Sequence, residues 1–302
     1  MPARRFVTLD VFTERPLAGN PLAVVLEAEG LDDGAMQAVA REFNLSETVF
    51  VLPPAEARHR ARLRIFTPVQ ELAFAGHPTV GTAVLLALHD RRAGAADAIA
   101  FGLEEAVGTV PCVVETGDGR GRARFRLPRL PEVWGEGEEP DAASVAAALG
   151  LAPGEVGFDR HRPSRHSAGT PFHFVPLRTL AALGRARAGA EALEAAFGPG
   201  AKVFLYTRET EDPAHSFRAR MFAPGAGIPE DPATGGAVAA FAGALMQFEP
   251  LGSGTHDVLV AQGYEMGRPS EIALQLVIAE GALRSAEIGG SAVVVSEGEI
   301  RV

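Results

Sequence analysis

The chain mixes short runs in which apolar and polar residues alternate, which predict strands, with stretches of helical spacing. Arg4 to Val11 alternates loosely, Thr13 to Pro21 is turn-like with Pro16, Gly19, Asn20 and Pro21, and Leu22 to Leu26 is apolar, which predicts strand, loop, strand. Asp32 and Asp33 precede Met36, Val39, Ala40 and Phe43 at helical spacing, so a capped helix is expected to end near Asn44. The run Ser46 to Leu52, stopped by Pro53-Pro54, predicts another strand. Arg60, Arg62 and Arg64 alternate with apolar residues, as do Arg122, Arg124 and Arg126; alternation requires water on one face, and a phosphate-binding stripe is the competing explanation.

Further on, Glu132 to Asp141 carries Gly, Pro and a run of acids around Trp134 and is the best linker, dividing the chain into halves 1–131 and 132–302, with the last strand free to cross back to the N-terminal half. The second half offers an Ala-rich helix at Ala142 to Leu149, strands near Phe172 to Leu177 and Lys202 to Thr207, and a helical stretch from Leu180 to Phe197.

Comparing the halves reveals a repeat. Arg64-Ile65-Phe66-Thr67-Pro68 matches Arg220-Met221-Phe222-Ala223-Pro224 as R-x-F-x-P, and Pro78 to Val84 matches Pro232 to Val238 as P-x-x-G-x-A-V. After each second motif comes a run of small and apolar residues at helical density, Val84 to Leu88 and Val238 to Met246. A helix that is apolar all round must be enclosed, so the expected fold is α+β: two pseudo-symmetric domains, each a curved, mostly antiparallel sheet around a central helix.

Composition narrows the chemistry. Hydrophobic residues make up 47% of 302 and charged residues 22%, values of a globular chain, and the net charge of −10 argues against nucleic acid as a partner. A Schiff-base mechanism would have to use Lys202, the only lysine, which sits in an apolar run without a helper motif. The single cysteine, Cys112, excludes an internal disulfide, a CxxC pair, a multi-thiolate zinc site and a two-thiol racemase. The histidines show no metal-ligand spacing, so no metal is expected; the start of the chain has no apolar signal segment and no long apolar run occurs, so no membrane and a cytoplasmic location are expected.

Both central helices open on Gly and Pro, at Gly76-His77-Pro78 and from Asp231-Pro232 to Gly235-Gly236, and helix starts with small residues suit a carboxylate or phosphate. The alternative is that such prolines are merely common at helix starts and that Asp231 is a cap. Glu47 is an acid where a strand should enter the core; burial would raise its pKa and fit it for proton transfer, whereas an exposed strand end would leave it ordinary. Glu47, His77 and Asp231 form a possible acid–base set without metal, thiol or lysine.

These residues resemble the PhzF-like (phenazine biosynthesis-like) family, which shares the fold of diaminopimelate epimerase. The likeness is carried by Asp10-Val11-Phe12, Gly19-Asn20-Pro21-Leu22-Ala23-Val24-Val25, Ser46-Glu47-Thr48-Val49-Phe50, Phe66-Thr67-Pro68, Ala75-Gly76-His77-Pro78-Thr79, Gly227 to Gly235, and Gln262-Gly263 with Gly267-Arg268-Pro269-Ser270. It implies a homodimeric, cofactor-independent isomerase acting in the cleft between two similar domains on a small anionic metabolite. Glu47 would shuttle a proton, with His77 and Asp231 in the same site and Ser46, Gly76, Thr79, Gly235 and Gly236 as substrate-binding candidates. The phenazine enzyme has a serine where this chain has Gly236, which weakens the case for the same dihydro-hydroxyanthranilate substrate. Arg268 and Gln262 are expected mainly to complete a turn. Thr170 is a further cleft candidate, because Thr170-Pro171-Phe172 loosely echoes Thr48-Val49-Phe50 and would put Gly169 where the first half has Glu47. An epimerase or racemase of a small carboxylate and a non-catalytic binding protein are the competing functions.

Overall fold

The computed structural model describes residues 3–90, 98–117, 119–136 and 139–302, in two compact units. One contains the chain up to Pro128 together with Ile288–Val302, and the other Arg129–Glu287. Of the expected linker, residues 137 and 138 lie outside the described residues.

The first unit is built from β1 (Ala3–Val11), β2 (Asn20–Val25), α1 (Asp33–Phe43), β3 (Glu47–Leu52), β4 (Ala61–Phe66), β5 (Glu71–Leu72), α2 (Gly76–Asp90), β6 (Ala98–Glu105), β7 (Gly108–Thr116) and β8 (Arg120–Arg126). Strands β2 and β3 run parallel, joined by α1, and β4 and β6 run parallel, joined by α2; β1/β2, β3/β4, β6/β7 and β7/β8 are antiparallel. The second unit follows with β9 (Glu132–Val133), α3 (Ala142–Leu149), β10 (Ser164–Ser167), β11 (Pro171–Pro176), α4 (Leu180–Arg185), α5 (Ala190–Phe197), β12 (Val203–Thr207), β13 (Phe217–Ala223), β14 (Ile228–Asp231), α6 (Gly235–Phe248), β15 (Gly254–Gln262), β16 (Ser270–Ala279) and β17 (Ala282–Arg301). From Ile288 onward β17 belongs to the first unit, where it pairs with both β1 and β8, so the curved sheet closes into an eight-stranded ring.

Helix α2 fills that ring. All twelve residues from Gly76 to Ala87 are buried, and the helix touches β1, β2, β3, β6, β7 and β8. At Gly81 the approach is closest: an added Cβ would stand 2.6 Å from Leu22 Cδ2 and 2.7 Å from Val11 Cγ2. The expected cap of α1 is present, with Asp32 accepting from the Ala35 N–H at 2.8 Å and Asn44 ending the helix in the left-handed region. The arginine stripe of β8 is a wet face, its arginines exposed while Gly121, Ala123 and Phe125 point inward.

The second unit repeats the scheme. Strands β11 and β12 are parallel, as are β13 and β15, while β10/β11, β12/β13 and β15/β16 are antiparallel. Helix α6 is buried through most of its length, and Phe174, Phe204, Tyr206 and Phe217 surround Phe241 at centroid distances of 4.7–5.7 Å. The arginine of each R-x-F-x-P motif ties its strand to neighbouring structure. Arg64 grips both oxygens of Glu71 and reaches Asp33 at the start of α1; Arg220 grips both oxygens of Glu230 and donates to the carbonyls of Leu183, Gly184 and Ala186. The latter contacts help explain why the single helical stretch expected from Leu180 to Phe197 is two helices: Arg220 takes up the carbonyls where α4 ends, and Gly189 starts α5 afresh.

Gly81→Ala is expected to destabilise the protein by about 1–3 kcal/mol, because the ring around α2 has no room for the methyl group. Gly184→Ala, with open space around it in α4, is expected to be neutral or stabilising by up to ~1 kcal/mol. Urea unfolding of the two variants checks both.

Candidate active site

The start of helix α2 brings His77 against the first residue of β3. Glu47 is the first residue of β3, beside Leu22 of β2, and its side chain is only 14% exposed. Its Oε2 lies 3.3 Å from Nδ1 of His77, whose side chain is 5% exposed. Burial pulls the imidazole down to about 3, so His77 is neutral at physiological pH. Its Nε2 is buried without a hydrogen-bond partner among the described residues. Two residues on, Thr79 Oγ1 lies 2.7 Å from both the Ala75 carbonyl oxygen and Glu105 Oε1. Ser46 immediately precedes the β3 carboxylate.

In the second unit Asp231 ends β14 and is 6% exposed. It is not the cap of α6, since the helix starts at Gly235 after Thr234; the Thr234 hydroxyl donates to Asp231 Oδ2 at 2.5 Å. Gln262, fully buried at the end of β15, holds this turn at three points. Its Nε2 donates to the Asp231 carbonyl at 2.7 Å and to Thr234 Oγ1 at 3.0 Å, and its Oε1 accepts from the Thr234 N–H at 3.1 Å. Its part is therefore larger than the turn completion expected of it. The following Gly263 has φ +82°, and a Cβ there would strike the carbonyl oxygens of Arg268 and Pro232 at 2.3 and 2.5 Å, so the turn through Arg268 needs glycine. Gly236 has ordinary space, the nearest neighbour of an added Cβ being the Phe172 ring at 3.9 Å.

The proposed echo between Thr170 and Thr48 does not hold. Thr170 is half-buried in a bend before β11, and β11 is the counterpart of β2, not of β3. The counterpart of β3 is β12. Thr48 pairs with Phe66 and Val203 with Phe222, the phenylalanines of the two R-x-F-x-P motifs, so the residue equivalent to Glu47 is Lys202. Sequence reasoning also passed over Thr234 and Glu105. The only mark of Glu105 in the sequence is its place as the second of two acids ending an apolar strand, and nothing there tells the buried acid from its neighbour Glu104.

The model of the phenazine biosynthesis-like proteins (PhzC-PhzF) matches residues 9–298. The chain belongs to this family. It is 49% identical, across 99% of both chains, to an uncharacterized isomerase of Mesorhizobium japonicum. It is 35% identical to the trans-2,3-dihydro-3-hydroxyanthranilate isomerase of Pseudomonas aeruginosa, over 97% of this chain and 98% of that one. Among solved structures, a PhzF-family phenazine biosynthesis protein of Bacillus anthracis matches at TM-score 0.88 and 25% identity over the whole of both chains. A hydroxyproline epimerase of Agrobacterium vitis shares the fold at TM-score 0.64 and 15% identity, covering 99% of this chain and 91% of that one.

This phenazine biosynthesis-like protein is an isomerase. Among its described residues no three His, Cys, Asp or Glu side chains form a group able to hold a metal ion, and no helix is long and apolar enough to cross a membrane.

The neutral state of His77 is open to a direct check. Its imidazole nitrogens are expected to keep their neutral-form NMR shifts from pH 8 down to about 4, where an exposed histidine would have taken up its proton near 6.5. Because the unfolded chain binds that proton first, His77 takes stability away as pH falls from about 6.5 toward 3.

Proposed function

We propose that the chain moves a proton between carbons of a small, unsaturated or cyclic carboxylate, with Glu47 as the base and acid. The observation that carries this is the contact between Glu47 and a buried, uncharged imidazole at the start of a helix. As a carboxylate, Glu47 takes a proton from one carbon and, once protonated, returns it at another, so a double bond moves without redox change. Neutral His77 orients that carboxyl without neutralising it. The first N–H groups of a helix have no intrahelical partner, so the starts of α2 and α6, at Gly76 and Gly235-Gly236, would hold the substrate carboxylate. Asp231, fixed by Thr234 and Gln262, would bind a polar group of the same substrate.

The absence of a second strong base opposite Glu47, for which Asp231 is the only candidate, favours isomerisation over epimerisation. The position equivalent to Glu47 in the second half is Lys202, so the repeat does not provide a matching carboxylate. The relative named for dihydro-hydroxyanthranilate suggests the substrate class, a ring bearing a carboxylate. Gly236 leaves space for a substrate substituent of a different shape. An inter-domain cleft, a homodimer and a cytoplasmic location belong to the same proposal.

Deuterium uptake from D2O into a panel of such carboxylates, dihydro-hydroxyanthranilate included, tests the assignment. Wild type is expected to label at carbon, and Glu47→Gln to lose about 10²–10⁴-fold in rate while still binding. Carboxylate binding without label in any compound would turn the assignment toward a non-catalytic binding protein.

A further inference from the structure

The Thr79 hydroxyl has one hydrogen but two oxygens at 2.7 Å, the Ala75 carbonyl and Glu105 Oε1. A carbonyl can only accept, so when the Thr79 hydroxyl donates to Ala75 the hydrogen of the second contact comes from Glu105. Glu105 is 7% exposed, and its Oε2 is buried with no hydrogen-bond partner among the described residues. An ionised carboxylate with an unmet oxygen in that position would be costly, whereas the C=O of a carboxylic acid loses much less.

The second unit shows the same construction with a group that cannot ionise. Ala61 pairs with Leu103 in the first unit and Phe217 with Val260 in the second, and Ala61 and Phe217 each stand three residues before the arginine of R-x-F-x-P. That register makes Gln262, the last residue of β15, the counterpart of Glu105, the last residue of β6. The Gln262 amide donates to the Thr234 hydroxyl, which passes its hydrogen to Asp231; the Thr79 hydroxyl passes its hydrogen to Ala75. The two threonines are one position out of step in the sequence repeat yet meet the same strand end.

We propose that Glu105 acts as a protonated carboxylic acid, the equivalent of the Gln262 amide, and through Thr79 holds the first turn of α2 as a positioning residue for His77 and Gly76. The effect on catalysis rests on the isomerase proposal above; the protonation does not. Burial agrees with it, pushing Glu105 up to about 8. From β7 it is faced by Cys112, whose thiol is raised by burial and by the Glu105 charge. On α2 its neighbours are Thr79 and, in the same turn, His77 beside Glu47; on β4 Arg62 is exposed and stands opposite Glu104 in the strand register, and Glu104 is held by His59 and the N–H groups of Ala55 and Glu56.

The folded protein keeps a proton on Glu105 that the unfolded chain has lost above about 4.5, so the stability Glu105 contributes declines from there to about 8 and levels off beyond. Glu105→Gln keeps the neutral donor and removes the titration. Thermal unfolding from pH 5 to 9 is expected to show the variant and wild type close together at pH 5 and the variant increasingly the more stable toward pH 8; parallel curves would overturn the proposal. Infrared spectra of wild type, which need no variant to fold, are expected to show a carboxylic-acid C=O band at pH 7 that disappears near pH 8, and absence of that band would also overturn it. In the deuterium assay the wild-type rate is expected to fall above about pH 8 while Glu105→Gln carries on; a shared alkaline limb would remove the positioning role. Wild type without exchange on any substrate would sink the isomerase assignment and leave the titration of Glu105 standing.

Discussion

A helix without a polar face has to be enclosed, and that requirement shapes both halves of this protein. Neither α2 nor α6 has a side it could turn to water. In the first unit the sheet must curl until β17 closes it, and small residues such as Gly81 let the strands come close to the helix. Enclosure also decides where chemistry can occur. The body of each helix satisfies its own backbone, so unpaired polar groups remain only at its ends.

The same enclosure dictates the charge state of the side chains at those first turns. His77 gives up its proton because burial disfavours its charged form. Thr79 and Thr234 are each held by a group from the end of the following strand, an acid in one half and an amide in the other. Duplication has thus preserved shape while changing function. Lys202 stands where Glu47 does, and the two halves keep the same strand pairings with different chemistry at their helix starts.

Much of the fold was legible because it follows from local rules. The alternating strands, the Asp32 cap with Asn44 at the end of α1, and the two apolar helices were all readable, and the R-x-F-x-P repeat marked strands whose arginines make equivalent grips. The break between α4 and α5 was not, since it depends on Arg220 arriving from a strand far along the chain. Glu47 and His77 stood out as an acid entering a core and a histidine between glycine and proline. Glu105 could not, and Gln262 stood out only as part of a turn, because their importance lies in a hydrogen bond to a threonine 26 or 28 residues away. The echo around Thr170 misled because three similar residues can recur on strands that hold different places in the sheet.

The last strand carries a consequence for how the protein is made. Residues 288–302 complete the ring of the first unit, yet they follow the whole of the second unit in the chain. On the ribosome, the continuous second unit has all its strands before the discontinuous first unit does. Until those final residues emerge, β1 and β8 each present a bare edge, and the apolar α2 has no complete wall around it. The first half to be translated is therefore the last to be finished, and the interval is the period in which the nascent chain is most exposed to wrong partners.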